Sequence, residues 1–282
     1  MLEYLQYPVI QRALIASVLA GGAFSLLGPV VVTLNLTTIR FALMHMALLG
    51  AAVAMALNSP PLIGAIAAIA LGSMLLGPWS DRLKLDTGLS SAFFMTGSIA
   101  AAFILFHRAG VSAMEAFGLF TGSILATTSI EIWSIVGLGA VIVATYTFMY
   151  REIQLVLYDR ELATSLGVPV EAIRGILLVL TGLAIGMAMR VVGALLVDGI
   201  ILLPALSAML LGRSLKGILV LSSLFGALSA FLGLLGSMAF DLPVGATITL
   251  TGVLILGLVS ATKSLIQRVS RREITRDRRS VA

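Results

Sequence analysis

Of the chain's 282 residues, 59% are hydrophobic and 11% charged, with a mean hydropathy of +1.10; a water-soluble fold could not hide that much apolar surface, so the bilayer is its solvent. The absence of cysteine excludes disulfides, thiolate metal ligands, iron–sulfur ligation and thiol catalysis. The net charge of +5 is no nucleic-acid signal: a large share of the cations lies in the tail from Lys263 to Arg279, facing anionic lipid, and no basic patch carries interleaved aromatics.

At about 20 apolar residues per crossing, the elements in chain order are nine spans. They cover roughly 12–33, 41–58, 61–79, 90–106, 130–149, 172–189, 191–211, 216–240 and 246–265. Residues 1–11 lack a basic leader, and the run after them is long enough to span, so no cleavable signal peptide is expected. Between the fourth and fifth spans, 111–128 is apolar but short and rich in Gly, Ser and Thr. It reads as a peripheral or re-entrant helix, which needs protein or water to cover its backbone. The bias of Lys and Arg toward the cytoplasm then sets the orientation. Arg40, Arg82, Lys84, Arg151, Arg160, Arg174, Arg213 and Lys216 fall inside, and Arg12, Arg108 and Arg190 outside. The expected protein is all-α and polytopic in the cell (inner) membrane. About nine transmembrane helices run through one permease domain (1–282), with the N-terminus out, a cytoplasmic loop at 150–171 and a basic cytoplasmic tail at 264–282.

Inside that loop, the run 158–170 (YDRELATSLGVPV) is a polar interruption between apolar runs. Acidic Asp159 and Glu161 suit the positive end of a helix, and Gly167 suits its C-terminal stop. A short surface helix of this kind, held between spans, has the form of a docking element; the plain alternative is a solvated loop. Two polar residues stand inside apolar runs. Asp198 lies mid-span, flanked by Gly193, Gly199 and Pro204, where a carboxylate is costly unless it is paired or faces a pathway. His45 carries the same burden. Either can line a substrate path; the structural alternatives are a packing histidine and an Asp198–Arg190 pair. Residues alone also leave open an ion-gradient transporter working through Asp198. At the outer rim, Glu115, Glu131, His107 and Arg108 can meet a partner by charge complementarity. Asp241, Pro243 and Gly245 form the last outer turn, with Asp241 expected to cap the last span. No phosphate-binding loop, serine–histidine pair or His-Glu-x-x-His motif occurs, so no catalytic or nucleotide site is expected in the chain.

Several fragments resemble the permease subunits of ATP-binding-cassette importers for zinc and manganese and keep that family's order and spacing. YDRELATSLGVPV is similar to that family's coupling-helix region. VVGALLVDGIILLPALSAMLLGRSL, FDLPVGATITLTGVLILGL, LFTGSILATTS and, in part, ALMHMALLG resemble four further segments. The resemblance implies a permease fold of the type II, cobalamin-importer-like kind. It implies a homodimer that pairs with two cytoplasmic ATPase subunits and receives a divalent metal ion from an extracytoplasmic solute-binding protein. No cofactor would be held permanently, and ATP would act only through the partner subunit. Tyr158, Asp159, Arg160, Glu161, Ala163, Leu166 and Gly167 would dock the ATPase. Family members that carry these metals have an aspartate four residues before a histidine on the second span, sharing one helix face. Here the histidine is His45, but Phe41 stands at the aspartate's place, Met44 at a serine's and Leu49 at a proline's. The expectation is that Asp198 supplies the missing carboxylate and faces the pathway with His45.

Overall fold

The computed structural model of the protein describes residues 7–83, 87–112, 128–193 and 197–280. At 77, 78, 80–83, 87, 190–192 and 268–280 the description covers the backbone alone. Every regular element described is helical. In order these are α1 (Pro8–Phe24), a 3-10 turn (Ser25–Leu27), α2 (Gly28–Thr33), α3 (Thr37–Ala56), α4 (Pro61–Leu83), α5 (Thr87–Arg108) and α6 (Ser129–Phe148). There follow α7 (Tyr150–Tyr158), α8 (Arg160–Ser165), α9 (Val170–Val192), α10 (Val197–Leu211), α11 (Leu215–Phe240) and α12 (Val244–Ser280).

Among the described residues, seven helical stretches are long and apolar enough to cross a bilayer: Pro8–Thr33, Thr37–Ala56, Gly88–Arg108, Ser129–Phe148, Val170–Met189, Leu215–Phe240 and Val244–Gln267. The other two expected spans are shorter apolar helices, Pro61–Leu76 and Val197–Leu211. The segment at 111–128 falls largely outside the described residues, so its expected peripheral helix does too.

The helices pack in two groups. α3 lies against α4 and α5, while α10 lies against α11 and α12. α1 and α2 join the second group through α11 and α10, and α9 bridges to the first through α4 and α3. Lipid offers no hydrophobic drive for helices to associate, so close backbone contact must replace it. The α3–α4 crossing shows this: Gly50 and Gly64 face each other so closely that a methyl group on either would meet the other's carbonyl oxygen. Gly21 of α1 and Gly226 of α11 form a second reciprocal contact of the same kind.

The first crossing is broken at the 3-10 turn for a reason legible in the chain. Pro29 has no N–H to give to the carbonyl four residues earlier, Ser25. Ser222 of α11 donates its hydroxyl to that Ser25 carbonyl at 2.6 Å, and Tyr146 of α6 donates to the Leu26 carbonyl at 2.8 Å. The Ser25 carbonyl keeps a tight-turn bond from the Gly28 N–H, and in a bilayer any donor that replaces the missing one must come from inside the protein. The break is therefore where α1, α6 and α11 are stitched together. At the last outer turn, Asp241 adopts a left-handed conformation (φ 54°) as the stop of α11; it ends the helix before it, which corrects its expected role as cap of the helix after it.

Candidate functional site

Asp198 sits in the first turn of α10, and the structure gives it a partner that spacing along its own helix could not reveal. Its Oδ1 forms an ion pair with Arg40 Nη1, the guanidinium being 2% exposed and the aspartate side chain 40% exposed. Arg40 belongs to the first turn of α3 and is not the loop cation that the orientation count took it for; removing it leaves the cytoplasmic bias in the same direction. The guanidinium also lies 4.6 Å from the centre of the Phe41 ring, a cation–π contact. Arg190, the partner considered within the chain's own helix, has no described side chain. Sequence reasoning missed Arg40, although a signal existed: an aspartate inside a span needs a counter-charge, and an arginine at a span's edge can be drawn in to supply it.

His45 stands one turn above Phe41 on α3 and is half-buried. Its Nδ1 donates to the Phe41 carbonyl at 2.7 Å. A carbonyl only accepts, so Nδ1 carries a proton here, and Nε2 is the ring atom left to meet a cation. From Arg40, the contact point of Asp198, His45 is five residues on, roughly 7.5 Å along the axis and about 140° around it. No hydrogen bond or ion pair among the described residues joins His45 to Asp198. Nor do three His, Asp or Glu side chains converge anywhere among those residues. The arrangement is thus one imidazole nitrogen and one carboxylate, the latter already holding a guanidinium.

The interruption at 158–170 is a short helix, α8, flanked by α7 and α9. Asp159 caps it, its Oδ1 accepting the Glu161 and Leu162 N–H groups at 2.9 and 3.1 Å. Its C-terminus closes in a Schellman motif. Gly167 N–H donates to Thr164 O and Val168 N–H to Ala163 O, each at 3.0 Å, with Gly167 at φ 79°, a conformation costly for any side chain bearing a Cβ. Tyr158 is 85% and Leu166 63% exposed, and Leu162 is exposed beside them. Asp159, Arg160 and Glu161 are exposed as well. Ala163 is fully buried in the core, so among the expected docking residues it fastens the helix to the bundle instead of facing outward. Leu162 was missed; its signal was the i, i+4 spacing to Leu166 on a helix otherwise polar.

The rim residues separate. His107 and Arg108 are exposed in the last turn of α5, where cations suit the helix dipole. Glu131 is buried in a capping box, its carboxylate accepting the Thr128 N–H at 2.8 Å while its own N–H reaches Thr128 Oγ1 at 3.3 Å. Glu115 lies outside the described residues. A cavity of about 810 Å3, lined in part by Tyr146, Tyr150, Arg151 and Lys216, opens between α6, α7 and α11, away from both His45 and Asp198.

Comparison with known proteins places this architecture. The manganese transport system membrane protein MntC of Listeria monocytogenes is 30% identical over 257 residues, covering 89% of this chain and 89% of that protein. The manganese import system permease protein ScaB of Streptococcus pneumoniae is 30% identical over 251 residues, with 88% of each covered. The solved structure of PsaBC from Streptococcus pneumoniae in complex with Fab is similar at a TM-score of 0.83 and 26% identity, over 92% of this chain and 93% of that one. The profile of the ABC 3 transport family matches residues 6–263. A match that takes in both the Arg40–His45 turn and the capped surface helix shows that the chain belongs to the ABC 3 transport family.

Proposed function

We infer that the chain is the membrane permease subunit of an ATP-binding-cassette importer that moves a divalent metal ion, zinc or manganese, into the cytoplasm. The observation that carries the reading is α8: a helix capped at both ends, anchored by Ala163 and, with the residues at its two ends, presenting Tyr158, Leu162 and Leu166 between two spans. Exposed apolar side chains rimmed by Asp159, Arg160 and Glu161 fit a protein partner better than water. The cargo class follows from the relatives, which are manganese permeases by name. In this reading the permease is a homodimer of type II, cobalamin-importer-like fold. It works with two cytoplasmic ATPase subunits and an extracytoplasmic solute-binding protein. Helices α4 and α10 complete nine crossings, with the N-terminus out and the tail inside.

The mechanism follows from which elements touch. ATP is bound by the partners, and their approach displaces α8. Because the cap and the Schellman motif make α8 stiff, the displacement passes to α7 and α9. α9 packs on α3 and α4, so it shifts the helix that carries Arg40 and His45. Nucleotide can drive that change only through contacts that differ between the two states, and α8 is where such contacts form. His45 Nε2 meets the passing cation, and its hydrogen bond to Phe41 holds the ring in place. A second cargo, another metal or a metal chelate, is suggested by the resemblance: Phe41 stands where the family's metal carriers have an aspartate, which leaves less negative charge for a bare cation.

The test is the triple substitution D159A/R160A/E161A. It removes the cap of α8 and its charged rim, so uptake falls at least about tenfold while the permease still reaches the membrane; a lost cap alone costs about 1 kcal/mol. Unchanged uptake together with unchanged copurification of an ATPase subunit overturns the docking assignment. Uptake insensitive to vanadate indicates a gradient-driven transporter instead.

A further inference from the structure

We propose that Arg40 is a tethered counter-cation that competes with the incoming metal ion for Asp198, so that the α3–α10 ion pair is a latch opened by cargo and a determinant of how tightly the pathway holds it. The inference deepens the reading of the chain as a metal permease and rests on it for the identity of the cargo.

Three observations carry it. The first is the asymmetry of the pair: the guanidinium is 2% exposed, while the aspartate side chain is 40% exposed. Asp198 Oδ1, the atom turned toward Arg40, is itself buried, so the exposed part of the side chain lies on the far side of the carboxylate. A cation arriving from the open side meets Asp198 first, with Arg40 behind it. The second is that Arg40 cannot leave its charge behind. A guanidinium stays protonated at any physiological pH, and this one has a buried Nε without a hydrogen-bond partner. Its charge is held by Asp198 and by the Phe41 ring at 4.6 Å, which can retain it for as long as the carboxylate is engaged elsewhere. The third is connectivity. The pair joins the first turn of α3 to the first turn of α10, elements of the two different packing groups. Losing it removes a direct tie between the groups, leaving α9 as the bridge about which they can move.

A paired carboxylate also suits transport. A lone carboxylate in a low-dielectric pathway would trap a divalent cation, whereas a built-in competitor lowers the affinity enough for release. Competition by a unit charge a few ångströms away shifts a binding constant by more than tenfold at protein-like dielectric values.

The experiment measures manganese binding to the purified full-length permease, wild type against R40Q, D198N and R40Q/D198N, with zinc in parallel. Freed of its competitor, Asp198 in R40Q binds manganese at least about tenfold more tightly than wild type, and uptake by R40Q with its partner subunits shows a lower KM and a lower maximal rate. D198N and the double variant lose this binding, and the double variant accumulates better than D198N because no buried charge is left alone. R40K, which keeps the charge, shifts the affinity far less than R40Q. An R40Q affinity equal to that of wild type, in folded protein, overturns the proposal. Should R40Q fail to accumulate, the cysteine-free chain allows spin labels at T38C and L202C. Manganese lengthens the α3–α10 distance in the otherwise wild-type chain if the latch opens; an unchanged distance overturns it. A wild type that binds manganese but moves neither metal in the assembled transporter counts against the proposed function and leaves the latch standing.

Discussion

The Tyr146 hydroxyl shows how single polar atoms act in this molecule. Its ring is buried on α6, and its O–H reaches 120 residues back to the Leu26 carbonyl. Tyr146→Phe keeps the ring and takes from the Leu26 carbonyl the donor that α6 supplies. The expected loss is about 1 kcal/mol, read as a lower melting temperature in detergent with no change in metal binding. Arg40 is the reverse case, a charge that the bundle admits because Asp198 waits for it. Pro29 explains why the Ser25 carbonyl lacks its donor four residues on, but only the fold shows that Ser222 joins the Gly28 N–H there. The same holds at the site. Asp198 and His45 stood out as polar residues in apolar runs, whereas Arg40 looked like one more cytoplasmic cation at the edge of a span.

At the scale of elements, helix ends and helix crossings obey different rules. Ends are local. Gly167 after α8, Gly110 after α5 and Asn58 after α3 all take positive φ, and their positions were readable from glycine and asparagine alone. Crossings are not local, because two glycines must meet from separate helices. Gly50→Ala pushes a methyl group into the Gly64 carbonyl of α4, whereas Gly97 has nothing within 4 Å of a Cβ at its position. Gly50→Ala is therefore expected to lower thermal stability and the yield of folded protein. Gly97→Ala, gaining helix propensity, holds both or raises them slightly. Equal behaviour of the two in a detergent melting assay would show that the α3–α4 contact has room to spare. α8 combines the two rules: its cap and stop are local, but Ala163 turns inward because the bundle lies on that side.

For the whole molecule, the proposed orientation rests on the distribution of cations, and it expects α8 to share the cytoplasmic side with the tail. The chain has no cysteine, so single cysteines report sides without background. S165C, on α8, is expected to react with a membrane-impermeant maleimide only after the cells are opened. L242C, in the turn between α11 and α12, reacts in intact cells. Labelling of S165C from outside would place the proposed docking helix on the wrong face for an ATPase. Losing Arg40 from the cytoplasmic count does not change this expectation, since Arg151, Arg160, Arg174, Arg213 and Lys216 still agree.

Apolar run length, proline and glycine act over a few residues and in any context. The chain alone therefore determined that it lives in a bilayer, where its long apolar helices lie and where α8 starts and stops. Only tertiary structure decided which distant groups satisfy one another: Arg40 with Asp198, Ser222 with Ser25, Tyr146 with Leu26 and Gly50 against Gly64. In a medium without water each of those groups had to find a partner, but the partner's identity depends on how helices far apart in sequence come to lie side by side.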